Sequence, residues 1–201
     1  MERAGDGTAD LAEQLAFLTE IDRLKGVVRA SPVLEGARPE NSGEHSWHIA
    51  MFALVLGPHA AAGVSVDRAI RMLLLHDIVE IDAGDVPIHM EVDAAAQAAK
   101  ERAAADRIFG LLPAAQAVAF RALWEEFEAG ESPDARFARA VDRIQPLLLN
   151  LAGGGGSWVD YDVTLKHIDD RIGAKVIRGL PGLWPEIRAM IAPWFEARGK
   201  A

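Results

Sequence analysis

Five ionisable side chains, His76, Asp77, Glu80, Asp82 and Asp85, follow directly on the apolar run Leu73-Leu74-Leu75. Burying such groups is costly unless they are paired or hold a metal, so the stretch LLLHDIVEIDAGD asks for chemistry that packing alone does not supply. Residues three or four apart on a helix share a face. His76 and Asp77 can therefore each converge with Glu80 on one patch, while Asp82 and Asp85 fall in the turn beyond, where a carboxylate can swing back. Imidazole and carboxylate together suit a divalent ion such as Mn, Co, Ni, Fe, Zn or Mg. Two ligands make too small a set, and two further residues are candidates. His45 stands beside Glu44 at the opening of a helix, and Asp142 interrupts the apolar run FARAVDRIQPLLL, where a carboxylate needs a partner. Taken singly, each has a plainer reading. Asp77 and Glu80 suit a solvated helix face, His45 a surface position, and Asp142 an ion pair with Arg139 or Arg143.

The elements that must position these groups read as helices. Leu11, Leu15, Leu18, Ile21 and Leu24 predict a first helix over 10–28. The segment RASPVLEGARPEN, 29–41, carries Pro32, Gly36 and Pro39 and reads as a loop. Asn41 with Glu44 three residues on is a capping-box variant that opens a second helix through Trp47, Met51, Leu54 and Val55 to Gly57-Pro58. A third helix starts at Asp67, runs through Leu73, Leu74 and Ile78, and stops near Gly84 and Pro87. Further helices are expected over 91–112, 113–129, 133–151, 162–178 and 184–197. Phe120, Leu123, Trp124 and Phe127 read as a core stripe, and Lys100, Glu101 and Arg102 as a solvated face. The glycine run 153–156 is a flexible connection and no phosphate loop, because no Gly-Lys-Ser/Thr follows. With no strand alternation and no repeat, the expectation is an all-α, single-domain bundle over 9–201 with a disordered tail over 1–8.

Composition narrows the function. Half of the 201 residues are hydrophobic and a quarter charged, as in soluble globular proteins. The absence of cysteine excludes disulfides and thiolate metal sites and leans to the cytoplasm. The start MERAGDGTAD has no apolar core of signal-peptide type, and no apolar run approaches the roughly 20 residues that span a bilayer. A net charge of −9 argues against long nucleic acid as a partner, leaving a small anion in a local site.

The order H…HD…D resembles the HD-domain metal-dependent phosphohydrolases. ENSGEHS at 40–46, HDIVEIDAGDVP at 76–87, RLKGVVR at 23–29 and RALWEEFEAGESPDARFARAVDR at 121–143 are similar to the small 5′-deoxynucleotidases of that family. The resemblance implies an HD-type helical bundle that hydrolyses (deoxy)nucleoside 5′-monophosphates to nucleoside and phosphate. It implies one divalent metal ion on His45, His76, Asp77 and Asp142, with Glu80 and Asp85 as acid and base and Arg29 on the substrate phosphate. It also implies a homodimer joined through apolar stripes of outer helices. The chemistry is consistent with these roles. A phosphate dianion repels an attacking hydroxide, a divalent ion neutralises that charge and acidifies water, and a planar guanidinium suits a phosphate.

One position departs from the pattern. Bacterial relatives usually carry Trp after the N-terminal arginine, near the sugar, where this chain has Ala30, which leaves the choice between deoxyribose and ribose open. His89 is expected near the mouth of the site, and His48 is expected to pack or face solvent. Two rivals remain: an HD-superfamily phosphodiesterase or hydrolase of another small phosphate ester, and a non-enzymatic module that binds metal or nucleotide. Glu80 and Asp85 speak against the second, because a structural metal site needs ligands but no spare carboxylates.

Overall fold

The fold is that of a computed structural model, which describes residues 6–34, 36 and 38–201. Helix α1 (Asp6–Glu20) runs into a 3-10 turn (Ile21–Gly26), and a two-stranded ribbon of β1 (Val28–Pro32) and β2 (Pro39–Asn41) follows. Then come α2 (Ser42–Leu56), α3 (Val66–Leu75), a 3-10 turn (His76–Val79) and the short α4 (Glu80–Ala83). Three long helices succeed them: α5 (Ala94–Phe109), α6 (Ala114–Ala129) and α7 (Pro133–Ala152). The chain closes with α8 (Ser157–Asp160), α9 (Leu165–Ile168), a π-helical turn (Asp169–Gly173), α10 (Ala174–Gly179) and α11 (Trp184–Glu196). Of the tail expected over 1–8, residues 1–5 lie outside the described residues and 6–8 open α1.

Local signals account for most helix ends. The Asn41 side chain accepts from the Glu44 amide at 3.0 Å while Glu44 accepts from the Asn41 amide at 3.1 Å, a complete capping box. Ser65, Asp93 and Ser132 cap α3, α5 and α7. Gly130, in the left-handed region at φ 61°, ends α6.

The architecture is all-α apart from the small ribbon, which corrects the expected loop over 29–41. β1 and β2 pair antiparallel from Val28 opposite Asn41 to Pro32 opposite Pro39, with a shifted register between. Both prolines lie on a ribbon with open edges, where a missing N–H costs no ladder bond. The expected third helix is also broken. After Leu75 the chain tightens into the 3-10 turn, which brings residues three apart into line, Asp77 and Glu80 among them.

Two apolar clusters hold the bundle. The larger joins α2, α3, α7 and the C-terminal helices through Ile49, Met72, Leu73, Phe137, Ile144 and Ile168. The smaller joins α1, α5 and α6 through Phe17, Leu75, Ile78, Ile108, Phe109 and Trp124. Each such side chain contributes roughly 1.5–3 kcal/mol when fully buried. His76 and Asp77 sit where the chain passes from Leu73 in one cluster to Ile78 in the other.

Helix α2 turns much of its apolar surface outward. Trp47, Met51, Leu54 and Val55 point outward, with Trp47 65% and Val55 70% exposed. The face turned inward carries Ser42, His45, Ser46, Ile49 and Ala53. Among the described residues no helix is long and apolar enough to cross a membrane.

Candidate metal centre and pocket

Three elements deliver the polar groups. The capping box starts α2 so that His45, three residues past Ser42 in its first turn, is fully buried. The 3-10 turn after α3 presents His76 and Asp77, and α7 presents Asp142 and Gln145, one helical turn apart on its buried face. Nitrogen and oxygen atoms of His45, His76 and Asp142 lie within 4.8 Å of one another. Asp77 stands beside this trio, with Oδ1 2.8 Å from His76 Nε2 and Oδ2 4.0 Å from His45 Nε2.

The arrangement fits a divalent cation. His76 Nδ1 donates to the Leu73 carbonyl at 2.8 Å, which leaves Nε2 with its lone pair toward the centre. That Nε2 is buried and has no hydrogen-bond partner, because its approach to Asp77 lacks hydrogen-bond geometry. His45 Nδ1 lies 3.1 Å from Gln145 Oε1, while its Nε2 lies 3.0 Å from Asp142 Oδ1. An inward-facing imidazole held from behind by a carbonyl or amide oxygen is the usual support of a metal-binding histidine. Gln145 is itself held, donating to Glu40 Oε2 at 2.9 Å.

Charge at the centre favours a cation as well. Burial raises the Asp77 and Asp142 pKa values, but His76 and Arg29 hold Asp77 below the usual carboxylate range. Arg143 and the His45 hydrogen bond do the same for Asp142. For His45, burial and Arg29 push the pKa down, yet Asp142, Glu40 and Asp77 lift it to about 9. Glu80 behaves oppositely. Burial and the negative charge of Asp77 push its carboxyl up to about 10, against Arg29 and a 2.6 Å hydrogen bond from Ser42. Asp85 is also raised, by burial above all. Glu80, off the centre, thus tends to keep its proton, while Asp77 and Asp142 within it stay anionic.

Arg29 lies on β1 and reaches into the same cluster. Its Nη1 is 2.9 Å from Asp77, 3.4 Å from Asp85 and 3.9 Å from Glu80, and its Nε is 3.5 Å from Glu40 on β2. A pocket of about 200 Å³ opens over the site, with Asp77, Glu80, Asp85 and Asp142 in its wall. Ala30 and His89 line it too. His48 is half-buried against Gln145 at 3.2 Å. Trp124 and Phe127 are core residues, as expected.

Sequence reasoning missed several participants. Glu40 and Ser42 lie inside the ENSGEHS stretch but carry no spacing signal, since the ribbon and cap position them. Gln145 was detectable as a polar residue three positions past Asp142 within an apolar run. Arg139 and Arg143 also reach the pocket, and Glu101, expected on a solvated face, is half-buried in its wall.

Comparison with known proteins agrees with this geometry. The sequence matches the family described as HD domain over residues 21–184. The chain therefore belongs to the HD domain family and is a metal-dependent hydrolase. Among its relatives, human 5′-deoxynucleotidase HDDC2 is 30% identical over 146 residues, 72% of this chain and 69% of that protein. The 5′-deoxynucleotidase of Erwinia tasmaniensis is 28% identical over 160 residues, 75% of this chain and 80% of that one. A solved structure from Magnetospirillum magnetotacticum MS-1, described as a predicted metal-dependent phosphohydrolase, superposes with a TM-score of 0.88 at 44% identity. That match covers 96% of this chain and 98% of the other.

Proposed function

We propose that this protein is a phosphomonoesterase that hydrolyses nucleoside 5′-monophosphates, deoxynucleotides among them, to nucleoside and phosphate. The carrying observation is that the His45, His76 and Asp142 trio lies against a cluster of Arg29, Glu80 and Asp85 in one pocket wall. Relatives of this chain that carry the name 5′-deoxynucleotidase supply the substrate class.

In this reading His45, His76, Asp77 and Asp142 hold one divalent ion, with Mn, Co, Ni, Fe, Zn and Mg all compatible with such ligands. When bound, that ion neutralises phosphate oxygens and acidifies water. Glu80, kept protonated by burial and by Asp77, gives its proton to the leaving 5′-oxygen, and Ser42 orients the carboxyl. Asp85 lies beside Arg29 and takes the proton of the attacking water. Arg29 turns its donor fork to the substrate phosphate in exchange for a carboxylate partner. Ala30, a small side chain next to Arg29 in the pocket wall, admits ribose as well as deoxyribose. The protein works as a homodimer in the cytoplasm, with the outward Trp47, Met51, Leu54 and Val55 face of α2 as the contact.

The test is phosphate release from ribo- and deoxynucleoside monophosphates by chelated protein with Mn, Co, Ni, Zn or Mg added back singly. Metal-dependent release is expected, with bis(p-nitrophenyl) phosphate left intact. Cleavage of that diester, with monophosphates untouched, would replace this reading by a phosphodiesterase.

A further inference from the structure

A second cavity, of about 130 Å³, opens where the end of α6 meets α7 and α10. Its wall carries four cations, Arg136, Arg139, Lys175 and Arg178, against one carboxylate, Glu128. Glu128 and Arg139 line the first pocket too, so the two cavities share a wall.

The fold forces these charges together. A Cβ at Gly179 would stand 2.1 Å from the Arg136 carbonyl oxygen, so α7 and α10 touch backbone to backbone there. That contact sets Arg136 and Arg178 side by side. Helix carbonyls satisfy only part of the charge. Arg139 donates to the Phe127 carbonyl at 3.0 Å and to the Glu128 carbonyl, and Arg178 donates to the Gly130 carbonyl at 3.3 Å. The side chains of Arg136 and Lys175 have neither an ion pair nor a hydrogen bond among the described residues. Lys175 is half-buried, and burial together with Arg143 and Arg139 draws its pKa down to about 8.

The contrast with the rest of the surface is sharp. The chain carries a net charge of −9, and cations such as Arg23, Arg107 and Arg188 have carboxylate partners within 2.8 Å. Four cations crowded against a single carboxylate repel one another, and a compact oxyanion with several acceptor oxygens relieves that repulsion. We infer that this cavity is a second anion site that takes a phosphate group, held by Arg136, Lys175 and Arg178 beside the first pocket. The inference does not depend on the proposed activity. Its ligand is inorganic phosphate or the phosphate of a monoester.

The test is calorimetric titration of metal-loaded protein with inorganic phosphate at low salt, and separately with phenylphosphonate as a monoester mimic. Two binding events are expected for the parent protein. In the doubly substituted Arg136→Gln/Arg178→Gln protein one event remains, and turnover at low phosphate matches the parent. Lys175→Met, measured separately, weakens the same event by at least about tenfold, the scale of a lost charge-assisted hydrogen bond. Binding of phosphate alone identifies a site for free phosphate, and binding of both ligands one that also accepts esters. Phosphate binding in the parent that is unchanged, event for event, in Lys175→Met and in whichever arginine variant folds overturns the inference, whether one event or two are seen.

Discussion

Helices α2 and α7 both contribute to the candidate metal centre, yet they solve the burial problem in opposite ways. α7 is amphipathic in the ordinary sense, with Phe137, Val141, Ile144 and Leu147 packed inward and Asp142 and Gln145 set among them. Its two polar groups are carried by surrounding apolar contacts. α2 buries Ser42, His45 and Ser46 beside a narrow apolar seam of Ile49, Ala50 and Ala53, and turns Trp47, Met51, Leu54 and Val55 to solvent. Those outward residues gain nothing from hydrophobic burial in that orientation. The position of α2 is therefore set by the polar bonds of His45 and Ser42 and by the capping box, and its outer face is left for another surface.

Substitutions on the two helices sharpen the contrast. The largest effect is expected from the ligands, one on each helix. His45→Gln and Asp142→Asn should each abolish tight metal binding and lower turnover by about 10³-fold or more, read by metal analysis and initial rates. If only the α7 variant lost metal, α2 would be a packing element rather than half of the centre.

Acidity comes next. An ion bound through His45 would have to displace its proton, whose pKa is lifted to about 9, so metal affinity should rise with pH up to that value. Below it, each pH unit should cost about tenfold, measured with a competing chelator at several pH values. A flat profile from pH 6 to about 9 would remove His45 from the ligand set.

Glu80 stands on neither helix but is tied to α2 through Ser42. Glu80→Gln should keep the metal while turnover falls by about 10²–10⁴-fold. Full activity in that variant would leave the acid role without an owner. Gln145, on α7, braces His45 of α2. Gln145→Leu should weaken metal binding by about 10–100-fold without unfolding the protein.

The smallest changes separate the packing of the two helices. Ile144→Val on α7 should cost about 0.5–1.5 kcal/mol of unfolding free energy. Leu54→Ser on α2 should stay within about 0.5 kcal/mol in the isolated monomer. If the proposed dimer forms through this face, the same change should shift sedimentation toward monomer. Equal destabilisation of the monomer by both would mean that the outer α2 face is packed after all.

Much was legible in the linear order of residues. Pro113 and Pro133 marked the starts of α6 and α7, Asn41 and Glu44 marked the start of α2, and Gly84 marked an end. These are local signals, settled by φ restriction and by side chains reaching two or three residues along the chain. His76, Asp77 and Asp142 stood out because each places a costly polar group beside apolar neighbours, and His45 because it opens a capped helix beside Glu44. The structure gathers them at one centre, with Arg29, Glu80 and Asp85 alongside.

Other features had no local signature. The ribbon over 28–41 contains two prolines and too few residues for alternation, so its pairing depends on what lies across from it. The outward turn of α2 inverts the hydrophobic pattern, because hydrogen bonds to α4 and α7, distant in sequence, set its rotation. The same holds for Glu40 and Gln145, whose roles exist only once β2 and α7 meet.

The sequence by itself determined the helical class, most helix boundaries and the identity of the metal-suited residues, because capping, breaking and the cost of buried charge act over a few residues. Only the tertiary structure decided which face of α2 is buried, which side chains brace the histidines and where unpaired arginines crowd together. Those outcomes depend on contacts between residues some 40 to 105 positions apart, and no local preference encodes them.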